Sequence, residues 1–284
     1  MFLMRRNPGH HPMARFGAMA VLALMVGGLT ACGGGSGGGG ATPPKALDAA
    51  KLPGAWISTS NGDTSYLLVQ PSNSNSFTGN VLNGASLDMG AFTLNLAGSA
   101  VSGTALAYES LVPGAISFPA GKTSGAEAFA GTATANPNTL TLGSPGQSPS
   151  SRTAFTSDPA ASNPVALADL AGNYEAPAQA TSAYRTIRLT VNPPAAGATS
   201  LTCTGVFDPG GANLPFTGRI SATSFNNQFG VSMTLPSGPG TTAGFTGAAY
   251  LRSGSPATLI VMTATDADPA STTAEQASGI FTRQ

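Results

Sequence analysis

Leu52-Pro53-Gly54-Ala55-Trp56 and Leu170-Ala171-Gly172-Asn173-Tyr174 share one pattern, L-x-G-x-W/Y, at an offset of 118 residues. The same offset relates Tyr66 to Tyr184. Each tyrosine leads into a strand-like run, Tyr66 to Val69 in one half and Thr186 to Val191 in the other. Ala128-Phe129-Ala130-Gly131-Thr132 returns as Gly244-Phe245-Thr246-Gly247-Ala248 at an offset of 116, and Phe-Thr closes each half at Phe155-Thr156 and Phe281-Thr282. Self-similarity at a nearly fixed period marks a duplicated structural unit. The small drift in spacing suits hairpin loops that have gained or lost residues. The halves meet between Thr156 and Ala168, where Asp158-Pro159 and Asn163-Pro164 are turn and linker signals.

Within each half, short runs with period two alternate with turn chemistry. Asn61-Gly62 and Asn83-Gly84 accept positive φ and read as hairpin turns. Pro193-Pro194, Asp208-Pro209-Gly210-Gly211 and Pro236-Ser237-Gly238-Pro239-Gly240 interrupt the second half. Between them, Leu201, Cys203, Gly205 and Phe207 fall on one strand face, as do Phe216, Gly218 and Ile220, then Val231, Met233 and Leu235, then Ala243, Phe245, Gly247 and Ala249. Leu259 to Thr263 is apolar on both faces, the mark of a well-covered strand. Gly and Pro interrupt nearly every window long enough for a helix. The fold class is therefore mainly β, with two tandem small antiparallel β-barrels or β-sandwiches of seven or eight strands each. Closure is favoured, because few lysines are available to blunt open edges and mid-strand glycines suit tight coiling.

The N-terminus has the three parts of a secretory signal. Arg5, Arg6 and Arg15 supply positive charge, Phe16 to Leu29 is apolar, and Leu29-Thr30-Ala31-Cys32 ends in small residues and a cysteine. The apolar run is shorter than the ~20 residues a comfortable membrane span needs. Gly33 to Gly40 is glycine with one serine, and Thr42-Pro43-Pro44 follows. Such a composition forms a tether rather than a core. Gly34-Gly35-Ser36-Gly37-Gly38 also spells G-x-S-x-G, but a nucleophile elbow needs a strand before it and a helix after it.

Leu29 to Cys32 resembles a bacterial lipobox, and the chain is similar to bacterial outer-membrane lipoproteins. That resemblance implies removal of residues 1–31, lipid on Cys32, and, with Gly33 rather than Asp beside it, transport to the outer membrane. The L-x-G-x-W/Y opening followed by a meander resembles lipocalin- and avidin-like barrels, where the aromatic plugs one end. The tether and the ending Gly279-Ile280-Phe281-Thr282-Arg283 resemble the transferrin-binding-protein type of surface lipoprotein, whose barrels often end in G-x-F-x-A and a basic residue. Here Thr282 replaces that alanine and the Lys-rich loops are missing, so no ligand carries over.

The resulting division is a signal peptide at 1–31, a lipidated and flexible tether at 32–51, a first β domain at 52–156, a linker at 157–168 and a second β domain at 169–284. Each domain is expected to hold its own core. From Cys32 onward the chain has about 250 residues, enough for one large or two small domains. Three lysines and six arginines face twelve carboxylates there, and charged residues are only 8% of the whole, so the basic footprint of a nucleic-acid binder is missing. Both histidines, His10 and His11, precede Cys32, which removes the commonest general base and metal ligand. Cys203 is the sole later thiol, and its place beside Leu201 and Phe207 predicts a buried, unreactive group.

Asp266-Ala267-Asp268 is a fragment of a calcium loop without the remaining ligands and reads as a solvated loop. Glu109 and Glu127 form no acid/base signature. Arg188 is expected on an outer face, and the direction of Arg185 stays open. Trp56 and Tyr174 are the candidate ligand-lining or core-plugging residues. No catalytic residue, metal site or cofactor is expected. The expected function is that of a non-catalytic cell-envelope lipoprotein, held at the membrane through lipid on Cys32 and binding a protein or glycan partner. The alternatives are an outer-membrane structural or assembly factor and a carrier of a small apolar molecule.

Overall fold

The computed structural model describes residues 44–60, 62–84, 89–108, 116–117, 127–176, 188–207, 214–225, 227–238, 241–264 and 275–284. The signal segment, Cys32, the glycine run, Glu109, Tyr184, Arg185 and Asp266 to Asp268 lie outside the described residues.

The first barrel is a closed meander of β1 (Gly54–Ser60), β2 (Asp63–Pro71), β3 (Ser76–Asn83), β4 (Met89–Ala97), β5 (Ala100–Tyr108), β7 (Glu127–Thr134), β8 (Thr139–Gly143) and β9 (Thr153–Ser157). The second contains β10 (Gly172–Glu175), β11 (Arg188–Val191), β12 (Ser200–Phe207), β13 (Leu214–Ala222), β14 (Phe229–Gly238), β15 (Thr241–Arg252), β16 (Thr258–Ala264) and β17 (Glu275–Arg283). Antiparallel pairing of β10 with β17 closes it. A two-residue strand, β6 (Ile116–Ser117), leaves the first barrel between β5 and β7 and pairs with the start of β17. The sandwich alternative falls, since each sheet closes on itself. Eight strands give a bore that side chains can fill.

Alternation does fill them. Leu67, Val69, Phe77, Phe92, Leu94, Phe129, Leu140 and Phe155 meet inside the first barrel. Leu201, Cys203, Phe216, Ile220, Val231, Phe245, Val261 and Phe281 meet inside the second. Three rings find room opposite a glycine: Phe92 faces Gly79, Phe129 faces Gly103 and Phe216 faces Gly205 across the ladder. A Cβ on any of these glycines would collide with the facing ring. The mid-strand glycines thus have a packing cause in addition to coiling.

The described chain joins the fold ahead of Leu52. Ala46 bridges to Thr134, the Leu47 amide donates to the Ala133 carbonyl, and Leu47 is buried in the first core. The described fold therefore begins within the stretch read from sequence as tether.

A third apolar cluster lies outside both bores. Tyr66, Leu68, Leu82, Met89 and Leu106 from the outer face of the first barrel pack against Ala248, Tyr250, Ile260, Met262 and Ala264 from the outer face of the second. This seam explains the runs that are apolar on both faces. In β2, Leu67 and Val69 point into the first bore while Tyr66 and Leu68 point into the seam. In β16, Leu259 and Val261 point into the second bore while Ile260 and Met262 point into the seam.

Candidate functional site

The two sequence-identified aromatics occupy equivalent places. A short 3-10 turn, Ala49–Lys51 or Leu167–Leu170, precedes each barrel. The glycine of the shared motif follows with positive φ, 145° at Gly54 and 153° at Gly172, a backbone that a Cβ would strain. Trp56 Nε1 then donates to the Leu52 carbonyl at 3.0 Å, and Tyr174 Oη donates to the Leu170 carbonyl at 2.9 Å. Both rings and both leucines are buried and sit in their barrel's core cluster. A polar handle is satisfied where an aromatic body fills a core.

The partner at the closing strand differs. Trp56 stands opposite Ser157, whereas Tyr174 stands opposite Arg283. The Arg283 guanidinium lies 5.2 Å from the Tyr174 ring centroid. Its Nη2 donates to Tyr174 Oη at 2.7 Å, to the Ala171 carbonyl at 3.2 Å, and to the Asp169 carbonyl. Burial pushes the Tyr174 phenol above its ordinary range, and Arg283 offsets part of that rise.

A polar clamp sits beside the apolar seam. Asp158, just past β9, has a fully buried carboxylate. Arg252, the last residue of β15, donates to it from Nε at 2.6 Å and from Nη2 at 3.4 Å. The Ala160 amide donates to Asp158 Oδ1 at 3.0 Å, and the Asp158 amide donates to the Ala55 carbonyl. Arg252 also lies 5.5 Å from the Tyr66 ring centroid. Burial alone would lower the Arg252 pKa, but Asp158 outweighs it and holds the guanidinium more firmly protonated than usual. Burial, then the Asp158 charge, pushes the nearby Tyr250 phenol well up. The Tyr250 hydroxyl has no hydrogen-bond partner among the described residues.

Asn227 and Gln228 complete the clamp. Asn227 has φ 58°. Its amide donates to the Ala161 carbonyl at 2.9 Å and the Leu251 carbonyl at 2.6 Å, and its Oδ1 accepts from the Leu251 amide at 2.9 Å. Gln228 Nε2 crosses between barrels to the Val69 carbonyl at 3.2 Å. Ser253 binds the Ala160 carbonyl through both its amide and its hydroxyl. The linker is thus strapped to the second barrel.

Two cavities flank the seam. One, of about 330 Å³, lies among Lys51, Trp56, Ser157, Asp158, Phe225 and Gln228. The other, of about 320 Å³, lies among Gln70, Thr78, Met89, Thr93, Thr104 and Thr246. Both draw on the two barrels together, and their walls are mostly uncharged. Of the remaining sequence candidates, Cys203 is buried and burial pushes its thiol up to about 11. Arg188 is exposed and pairs with Glu175 at 3.1 Å on the outer face. Glu127 is exposed at the start of β7. Sequence reasoning saw Asp158 only as part of a linker and did not single out Arg252, Asn227 or Gln228. The available signal was the apolar outer positions of Tyr66 and Leu68, on a strand whose other outward residues are Thr64 and Gln70.

No family model matches this chain, and no curated protein matches it. Among solved structures, it is similar to a provisionally described outer membrane protein of Bacteroides fragilis, at 14% identity and a TM-score of 0.23, over 84% of this chain and 99% of that one. A likeness that loose has no bearing on function, and the two closed barrels stand on their own strand pairing.

Proposed function

We propose that this chain is a non-catalytic lipoprotein of the cell envelope, anchored at the outer membrane through acyl chains on Cys32. Its joined barrels engage a protein or glycan partner with their outer surface. The observation that carries this reading is that both bores are filled by their own side chains, with Trp56 and Tyr174 buried at the ends. Among the described residues, two clefts between the barrels leave space for another molecule, one lined by Lys51, Ser157, Asp158 and Gln228 and the other by Thr and Gln beside Met89, Phe92 and Leu106. The charged and amide groups of the first suit a polar partner. The carrier alternative needs an open apolar pocket beneath Trp56 or Tyr174, where Leu52 and Leu170 already pack. A structural or assembly role remains the second reading, because the barrel pair is braced by a buried seam that needs no ligand.

The anchor is tested by labelled fatty acid. Wild-type protein incorporates the label and sediments with membranes, since two or more acyl chains hold stably where one does not. Cys32→Ala yields unlabelled protein. A wild-type chain that takes up no label would overturn the lipoprotein reading.

A further inference from the structure

The barrels have a common direction. In the first, β1 starts at the plugged end, so β2, β4, β7 and β9 finish there. In the second, β10 starts at the plugged end, so β11, β13, β15 and β17 finish there. The contacts between barrels join like ends. Asp158, just past β9, meets Arg252 at the end of β15. Gln228, in the connection leading into β14, meets Val69, which pairs with Gly54 at the start of β1. Farther along, the Ser278 hydroxyl meets Met89 at the start of β4. Both plugged ends therefore lie side by side on one end of the molecule.

The chain arrives at that same end. Ala46 bridges to Thr134, the last residue of β7, and the Ala135 amide donates to the Lys45 carbonyl. Only eleven residues separate Cys32 from Pro44. Fully extended, they span about 40 Å.

We infer that the barrel pair stands on the bilayer with both plugged ends toward the lipid headgroups and the opposite rim turned away. This rests on the lipid-anchor reading above. The surface that meets the bilayer is formed by the turns at Ser72–Asn75, Gly98–Ser99, Asn192–Thr199 and Ser253–Ala257, together with the chain's point of arrival. Strands of seven to twelve residues, tilted as barrel strands are, separate the two ends by about 20–25 Å. The cleft beside Lys51 and Gln228 then faces the headgroups, and a partner approaching from outside the membrane meets the far rim and the cleft beside Met89 and Thr246.

The test uses full-length acylated protein in vesicles containing headgroup-labelled lipid. Four single cysteines carry a donor fluorophore. Ser74→Cys and Ala196→Cys mark the plugged ends of the first and second barrels, and Ser150→Cys and Thr242→Cys mark the far ends. All four positions are exposed. Cys32 is blocked by lipid, and the buried Cys203 is checked in the unsubstituted chain. With ends about 20–25 Å apart, energy transfer from Ser74→Cys and Ala196→Cys is about twofold that from Ser150→Cys and Thr242→Cys. Equal transfer from all four, a reversed order, or opposite orders in the two barrels would overturn the inference while leaving the anchor intact. Failure of the protein to recover with vesicles would instead overturn the anchor reading, and this inference with it. Two positions per end keep the result readable if one variant misfolds.

Discussion

The two barrels close on the same backbone device with different side-chain chemistry. In each, a leucine carbonyl four residues back accepts the hydrogen bond of a buried aromatic, and a positive-φ glycine turns the chain between them. The first barrel relies on the larger indole and leaves a serine opposite. The second uses a smaller phenol and adds Arg283, which covers the ring and ties it to two carbonyls of the preceding turn. The difference shows that the duplicated feature is the turn and the ring position. The means of sealing, by apolar bulk or by a cation with its hydrogen bonds, is free to diverge.

The largest expected effect comes from removing the bulk. Trp56→Ala should cost ~3–5 kcal/mol of stability, because a fully buried ring leaves a cavity that its neighbours fill only partly. Chemical denaturation measures it, and a cost below ~1 kcal/mol would mean that the indole does not seal the barrel. Because the seam joins the barrels, the loss should appear in a transition shared by both. A fragment beginning at Val165 exposes Tyr250, Ile260 and Met262 and should be less stable than the same region in the whole chain.

Next comes the clamp. Arg252→Ala leaves the Asp158 carboxylate buried without its counter-charge, at ~3 kcal/mol. The combined Arg252→Ala and Asp158→Ala variant should lose less than the two single losses added together. Strict additivity in that double-mutant cycle would mean that the pair is not coupled.

A smaller effect separates the plugs themselves. Tyr174→Phe keeps the ring but removes the hydroxyl that donates to Leu170 and accepts from Arg283, costing ~1–2 kcal/mol. Tyr174→Trp with Arg283→Ser transplants the first barrel's pair into the second. If bulk can replace the cation, the double variant is more stable than Arg283→Ser alone. Equal or lower stability would show that the two seals are not interchangeable.

The smallest effect concerns Cys203, which has no described counterpart thiol in the first barrel. Its folded thiol titrates at about 11, against an ordinary value of 9.0, because burial disfavours the thiolate. The folded state therefore holds this proton more tightly than the unfolded chain. The stabilisation is complete below pH 9, where both states are protonated, and is lost as pH rises toward about 11. Wild type and Cys203→Ala should show a constant stability difference below pH 9 and a converging one above it. Rapid labelling of the native thiol at neutral pH would contradict the burial itself.

Much of this was legible locally. Period two placed Leu201, Cys203, Phe216, Ile220, Val231 and Phe245 on inner faces, since a strand's side chains alternate whatever surrounds it. The motif shared by Leu52 to Trp56 and Leu170 to Tyr174 marked both barrel openings, because turn chemistry and plug are contiguous in sequence. The apolar outer face of β16 was also readable as covered. What covered it was not, because an apolar residue needs only the removal of water and carries no mark of its neighbour. The clamp was out of reach for a related reason. Arg252 and Asp158 are 94 residues apart, and Gln228 and Val69 are 159 apart. Nothing in the local pattern of either member of a pair names the other. Alternation and turn chemistry by themselves determined two β units with an aromatic near each opening, and the pairing of first strand with last decided that each closes into a barrel. The packing of one barrel on the other decided that they stand side by side with their plugged ends together, because that depends on which outer faces meet.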